Sequence, residues 1–348
     1  MLPCGTYPER YEKDKTIVRT RLQWGLFIGF LVLLFASPQF LPDRFIGMIN
    51  MAGIILVAVV GLQITTGYAG QINLGQVAFL GMGAYMTGFV ASRFGLPFWL
   101  AIPCGGIGAA LFGTIFGLPA VRVKGFYLAL TTLAAVFIFH FMMLRMPGFG
   151  GATGIGVPAA SIGGFRLISP QSQCYLIMIV TGIMVFLAYG LVRSRVGRAF
   201  TAVRDNDNAA QILGVNLLYY KTLAFVIGTF YAGIAGALWA YNLRFVSVEE
   251  FTLFNSLWYV AMIIVGGMGS ILGAIYGTVL LRGLEELVTW LGPTLHAAFP
   301  GVPGEVYFAG MNIVLGGIII IFLIFEPKGL VHRWSIFKAT YRLWPFPY

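Results

Sequence analysis

A chain of 348 residues in which 59% are apolar and only 10% charged cannot present a water-solvated surface, since soluble domains average about 25% charged residues. Its net charge of +10 sits on residues that flank apolar runs, which marks membrane orientation and excludes the clustered basic stripe of a nucleic-acid binder. The 46 glycines fit a lipid-embedded bundle, where small residues let helices approach closely.

Residues 1–21 mix Glu9, Glu12 and Asp14 with Arg10, Lys13, Lys15, Arg19 and Arg21. No small-residue cleavage site follows, so this is read as a cytoplasmic tail ahead of an uncleaved first span. A spanning helix needs about 20 apolar residues. Ten stretches supply them: 22–41, 45–66, 72–92, 98–118, 126–144, 174–192, 222–241, 251–268, 271–290 and 306–325. Nine contain no Asp, Glu, Lys or Arg. The alternation of a transmembrane barrel is absent. The expected fold is an all-α polytopic membrane bundle of about ten helices, with a transmembrane domain over 22–326 and a second tail over 327–348. The turns at 67–71 and 268–270 are short enough that re-entrant segments, and a count of eight, stay open.

Loop charges give the direction. With the N-terminus inside, sixteen Lys and Arg fall on inner segments and five (Arg44, Arg93, Arg145, Arg166, Arg244) on outer ones. That bias predicts both termini in the cytoplasm. A Gly- and Pro-rich outer loop spans 146–173, and an inner loop with helix-like content spans 193–221.

Catalytic signatures are missing: the sequence holds no HExxH and no phosphate-binding GxxxxGK[ST]. His140, His296 and His332 are scattered, and Cys4, Cys104 and Cys174 lack metal-site spacing. No cofactor is expected on this chain. Four features remain as candidates. Gly70, Gln71, Asn73 and Gln76 open an apolar run with uncharged amides, a combination suited to passing a small polar solute, or to interhelical hydrogen bonding alone. Arg282, Glu285 and Glu286 form the one intramembrane charge cluster, at helical spacings that let the Arg pair with either Glu. It reads as self-neutralised, or as pore-lining or partner-contacting. Gly269, Gly273 and Gly277 repeat every four residues as a helix-packing face. The pattern G-x-x-G-[QS]-I occurs at both Gly67 and Gly266.

The fourth feature is the inner loop. A helix is expected over 208–218, capped by Asp205, Asn206 or Asp207. It would present Ala209, Ala210, Ile212, Leu213 and Val215, too apolar for a solvated connector. Docking into the groove of a cytoplasmic partner is the favoured reading, and lying flat on lipid the alternative. A stand-alone secondary transporter or channel for a small polar solute is the competing function.

At this loop the sequence resembles permeases of ATP-binding-cassette importers, whose coupling helix carries E-A-A-x(3)-G. Asn208, Ala209, Ala210 and Gly214 match that spacing, with Asn in place of Glu. More broadly the chain is similar to the branched-chain amino acid permease family of the LivM type, through GYAGQINLGQVAFLGMGAY, LPAVRVKGFYLALTTLA, GGATGIGVP, SRVGRAFTAVRDNDNAAQILGVN, FYAGIAGALWA and GGMGSILGAIYG. The resemblance implies a non-catalytic half-pore in a bacterial inner membrane that imports branched-chain or related amino acids, with urea and short amides as other solutes. It implies a second permease subunit, two cytoplasmic ATPases that use the ATP, and an extracytoplasmic solute-binding protein. Arg198, Asp205, Asn208, Ala209, Ala210 and Gly214 are the expected ATPase-coupling residues.

Overall fold

Backbone N–H and C=O groups find no water in hydrocarbon, so long apolar runs satisfy them within their own segment as helices. The computed structural model describes residues 21–119, 125–162, 165–298, 304–326 and 329–343. The N-terminal tail over 1–20, Cys4, Arg122, Lys124 and parts of the C-terminal tail lie outside these. The long helices are α1 (Arg21–Phe40), α2 (Asp43–Leu62), α3 (Gln76–Arg93), α4 (Phe98–Gly117), α5 (Phe126–Arg145) and α6 (Pro170–Arg193). Two short helices follow, α7 (Arg195–Asp205) and α8 (Asp207–Ile212). Then come α9 (Leu217–Leu243), α10 (Leu253–Gly266), α11 (Ile271–Ala298), α12 (Gly304–Phe325) and α13 (Leu330–Leu343). Among the described residues, six segments are long and apolar enough to cross a membrane: Asp43–Tyr68, Phe98–Gly117, Phe126–Arg145, Pro170–Arg193, Leu217–Leu243 and Val248–Gly266.

The centre of the bundle is α9, packed between α2, α3 and α4. Close approach depends on glycine. A Cβ on Gly83 of α3 would strike Gly233 of α9, one on Gly233 would fall 2.7 Å from Gly105 O of α4, and one on Gly105 would fall 2.8 Å from Gly83 O. Three backbones therefore meet with only small side chains such as those of Thr87 and Ala109 beside them, which favours dispersion contact where no hydrophobic driving force exists between helices. Beside this crossing Phe79 lies edge-on to Phe225 with centroids 5.5 Å apart, and it meets Phe112 at 6.0 Å.

Helix ends sort into two groups. At one end the turn after α2, the loop over 193–221, the α10–α11 turn and Gly329 come together. The opposite end gathers the 146–169 loop and the α9–α10 connection. There β1 (Ile155–Gly156) pairs antiparallel with β4 (Phe245–Val246), β2 (Ser161–Ile162) pairs with β3 (Phe165–Arg166), and Arg244 donates to Ile168 O at 2.7 Å.

The structure corrects the expected span over 72–92. Helix α2 runs on as a π-helical turn, Gln63–Tyr68, and the chain is then extended until α3 begins at Gln76. Gly70 ends the π turn with φ +68, a conformation that a side chain would strain. The Asn73 side chain then accepts from Gly75 N–H at 2.9 Å, holding a local turn in place of a helical bond.

Candidate functional site

The loop over 193–221 is two capped helices and not one. Ser194 Oγ accepts from Val196 N–H and Gly197 N–H and starts α7. That helix turns Phe200 and Val203 inward, 1% and 3% exposed, and leaves Arg195 and Arg198 in water. Asn206, of the three candidate caps, starts α8 by accepting from Asn208 N–H and Ala209 N–H at 3.0 and 3.1 Å. Gly214, at φ +84, ends α8. Its N–H bonds Gln211 O, and Val215 N–H bonds Ala210 O, the paired closure of a left-handed C-cap. The helix expected over 208–218 thus stops at Ile212, and Asn216 caps α9 separately.

This geometry also corrects the expected face. Ala210 is buried, 2% exposed, because it packs under α8. Val215 is half-buried. Ile212 and Leu213 stand out, 86% and 81% exposed, beside exposed Asn208 and Ala209. The underside is latched: Lys221 Nζ lies 2.7 Å from Asp207 Oδ2, with side chains 8% and 16% exposed. The pair ties α8 to the first turn of α9. Asp205 is not part of this latch. It is exposed and pairs with Arg204 at 2.9 Å.

Arg204 is the residue that sequence reasoning missed. Its Nη1 donates to Gly67 O at 2.9 Å. A Cβ on Gly70 would approach Arg204 Cγ to 2.9 Å, and one on Gly269 would approach its Nη1 to 2.8 Å. One guanidinium therefore joins α7 to both G-x-x-G-[QS]-I motifs, which face each other here. Gln63 Nε2 completes the junction by donating to Gly267 O and Ser270 O at 3.0 and 2.9 Å. The repeated motif was the visible signal, and only the fold shows that its two copies meet. A polar cavity of about 350 Å³ opens at this junction, lined by Gly70, Gln71, Arg204, Asp205, Asn208 and Lys221 among others.

The amides divide. Gln71 reaches the cavity and donates to Lys221 O at 2.9 Å. Asn73 and Gln76 do not line it. Both are fully buried, Asn73 Nδ2 donates to Gln76 Oε1, and Gln76 Nε2 donates to Ala58 O at 2.8 Å. Their amides are satisfied within the chain.

The charge cluster divides as well. Arg282 pairs with Glu285 at 2.6 Å, while Glu286 pairs with Arg44 at the start of α2, at 3.0 Å. Of the three glycines expected as a helix face, Gly273 and Gly277 press on the α10 backbone at Gly266 and Met262. Gly269 lies in the turn before α11 with φ +80, against Arg204. His140 Nδ1 lies 2.9 Å from Val136 O of its own helix. Cys104 and Cys174 are free.

A bundle of apolar helices interrupted by an extended segment, with a latched pair of short helices at one end, defines a multi-pass membrane transport protein. The chain belongs to the family described as branched-chain amino acid transport system / permease component, whose model matches residues 44–323. It is 28% identical to the high-affinity branched-chain amino acid transport system permease protein LivM of Escherichia coli, over 91% of this chain and 76% of that protein. A probable LivM permease of Methanocaldococcus jannaschii is 22% identical over 80% of this chain and 90% of its own length. The autoinducer 2 import system permease LsrC of Escherichia coli is 23% identical, over 75% and 78%. No solved structure matches the chain. A permease component moves a solute without transforming it, so the chain is a pore subunit and not an enzyme.

Proposed function

We propose that the chain is the transmembrane permease of an ATP-driven ATP-binding-cassette importer that carries branched-chain or related amino acids into the cytoplasm. In this reading ten helices (α1 to α6 and α9 to α12) cross a bacterial inner membrane with both termini inside. A second permease completes the pore, two cytoplasmic ATPases grip the 193–221 loop, and a binding protein delivers the solute to the 146–173 loop. The observation that carries the reading is α8: a short helix, capped at both ends and latched underneath, that leaves Ile212 and Leu213 exposed at the Arg-rich end of the bundle. Such a rigid apolar knob fits a groove on a partner. ATP-driven closure of the ATPases would displace α8 as a rigid unit and tip α9 through the Lys221–Asp207 pair. Ion coupling finds no comparable support, since Glu285 and Glu286 are each engaged by an arginine.

The test is reconstitution of the permease pair and ATPases in liposomes with the binding protein. Labelled leucine should accumulate only when ATP is supplied on the ATPase side. Accumulation that follows an ion gradient without ATP would overturn the proposal.

A further inference from the structure

From Gly70 to Gly75 the extended chain alternates. Gln71, Asn73 and Gly75 point into the bundle and are buried. Gly70 and Ile72 are exposed, Ile72 at 41%, and Leu74 is half-exposed. Exposure therefore alternates every second residue along an irregular segment, placed where the sequence had suggested a helix. Its inward side is anchored at three points: Gln71 N–H bonds Thr65 O, Gln71 O accepts from Thr66 Oγ1, and Gly75 N–H bonds the Asn73 side chain. Leu74 is clamped from two other helices. Its N–H donates to Thr132 Oγ1 of α5 at 3.0 Å, and its C=O accepts from Ser256 Oγ of α10 at 2.6 Å.

The segment also climbs into the bundle. Gln76 at its end bonds Ala58 O, ten residues before the end of the π turn at Tyr68, roughly 15 Å along the axis at about 1.5 Å per residue. Backbone without helical hydrogen bonds is not tolerated against lipid at such depth; it is covered by protein or lines a water-filled space. The segment's own chain leaves Ile72 uncovered. A polar cavity beside Arg204 opens at its start, bordered by Gly70 and Gln71.

We infer that the irregular segment over Gly70–Leu74 lines the solute path, with Ile72 and Leu74, not the neighbouring amides, facing the solute. Two aliphatic side chains on a segment held by single side-chain hydrogen bonds suit the apolar part of an amino acid, and they close the path to water when it is empty. Arg204, in contact with Gly67 and Gly70, joins this segment to the α7–α8 unit. The inference rests on the permease reading and deepens it.

The experiment uses the assembled transporter in liposomes, with Cys4 and Cys104 replaced by Ser and buried Cys174 by Ala, and with Ile72→Cys introduced. A charged, membrane-impermeant methanethiosulfonate should modify Ile72→Cys. Leucine at about ten times its Kd should slow modification about tenfold, because the free fraction falls as 1/(1 + [L]/Kd). Leu111→Cys, on the exposed aliphatic stripe with Ile107 and Ile115 of α4, should react only with a lipid-soluble maleimide. If Ile72→Cys reacts only with the maleimide, or with neither reagent, the inference is overturned. Ile72→Ala gives a second measurement: it should assemble normally and change the ratio of apparent KM for leucine to that for alanine, and an unchanged ratio would also overturn it. ATP-driven leucine uptake by the parent liposomes separates the two failures. Uptake with an unreactive Ile72→Cys sinks this inference alone, whereas no uptake sinks the permease reading beneath it.

Discussion

Replacing Ile212 and Leu213 together by Ser should detach the motor without harming the bundle. The two side chains are 86% and 81% exposed, so nearly all their apolar area is free to be buried by a partner. Burying a Leu or Ile side chain contributes about 1.5–3 kcal/mol. The pair is therefore worth about 3–6 kcal/mol of docking energy, roughly a hundred- to ten-thousand-fold in Kd. The permease itself should lose no more than ~0.5 kcal/mol, as exposed substitutions away from caps and pairs usually do. The assay is a titration of the detergent-purified permease pair with the ATPase subunit, run beside thermal unfolding of the permease. Ala210→Leu supplies the contrast: at 2% exposure it should overpack the underside of α8 and cost about 1–3 kcal/mol of stability. An affinity that barely moves in the Ile212/Leu213 variant, or one that falls only in step with the unfolding temperature, would refute the docking argument.

Three further outcomes follow from the packing and the hydrogen bonds. Asp207→Ala removes the carboxylate facing Lys221, a side chain only 8% exposed. It should cost about 3–5 kcal/mol, most of it recovered when Lys221→Met is added; chemical denaturation of both variants measures the difference. Gly236→Ala should abolish assembly, because its Cβ would collide with Leu80 O, whereas Gly190→Ala meets nothing within 4 Å and should be neutral or stabilising by up to ~1 kcal/mol; the yield of monodisperse protein reports both. Thr132→Val and Ser256→Ala each strip one partner from half-exposed Leu74, at about 0.5–1.5 kcal/mol for one hydrogen bond lost. Each should lower leucine uptake per ATP hydrolysed, read from paired uptake and ATPase measurements.

The apolar runs were legible because lipid imposes one rule on every residue of a span. What escaped the sequence depended on partners far along the chain. The break before α3 is stabilised by Thr132 and Ser256, 58 and 182 residues from Leu74, and five alternating residues inside an apolar run carry too short a period to be recognised alone. The amides at Gln71, Asn73 and Gln76 drew attention by their chemistry, but composition does not say which side of an extended segment faces outward. In the inner loop the local signals were present: Gly214 as a helix stop and Asn216 as a new cap together rule out one helix over 208–218. Lys221 looked like an ordinary loop charge, and only the return of α9 beneath α8 brings it to Asp207.

The meeting of Gly83, Gly105 and Gly233 has a consequence for motion. With so little side chain between them, α3, α4 and α9 have little room to rotate or slide past one another, and they are expected to move together as a block. Whatever swings during a transport cycle must do so at the borders of that block. The segment around Ile72 is one such border, its Leu74 backbone held to α5 and α10 by one hydroxyl each.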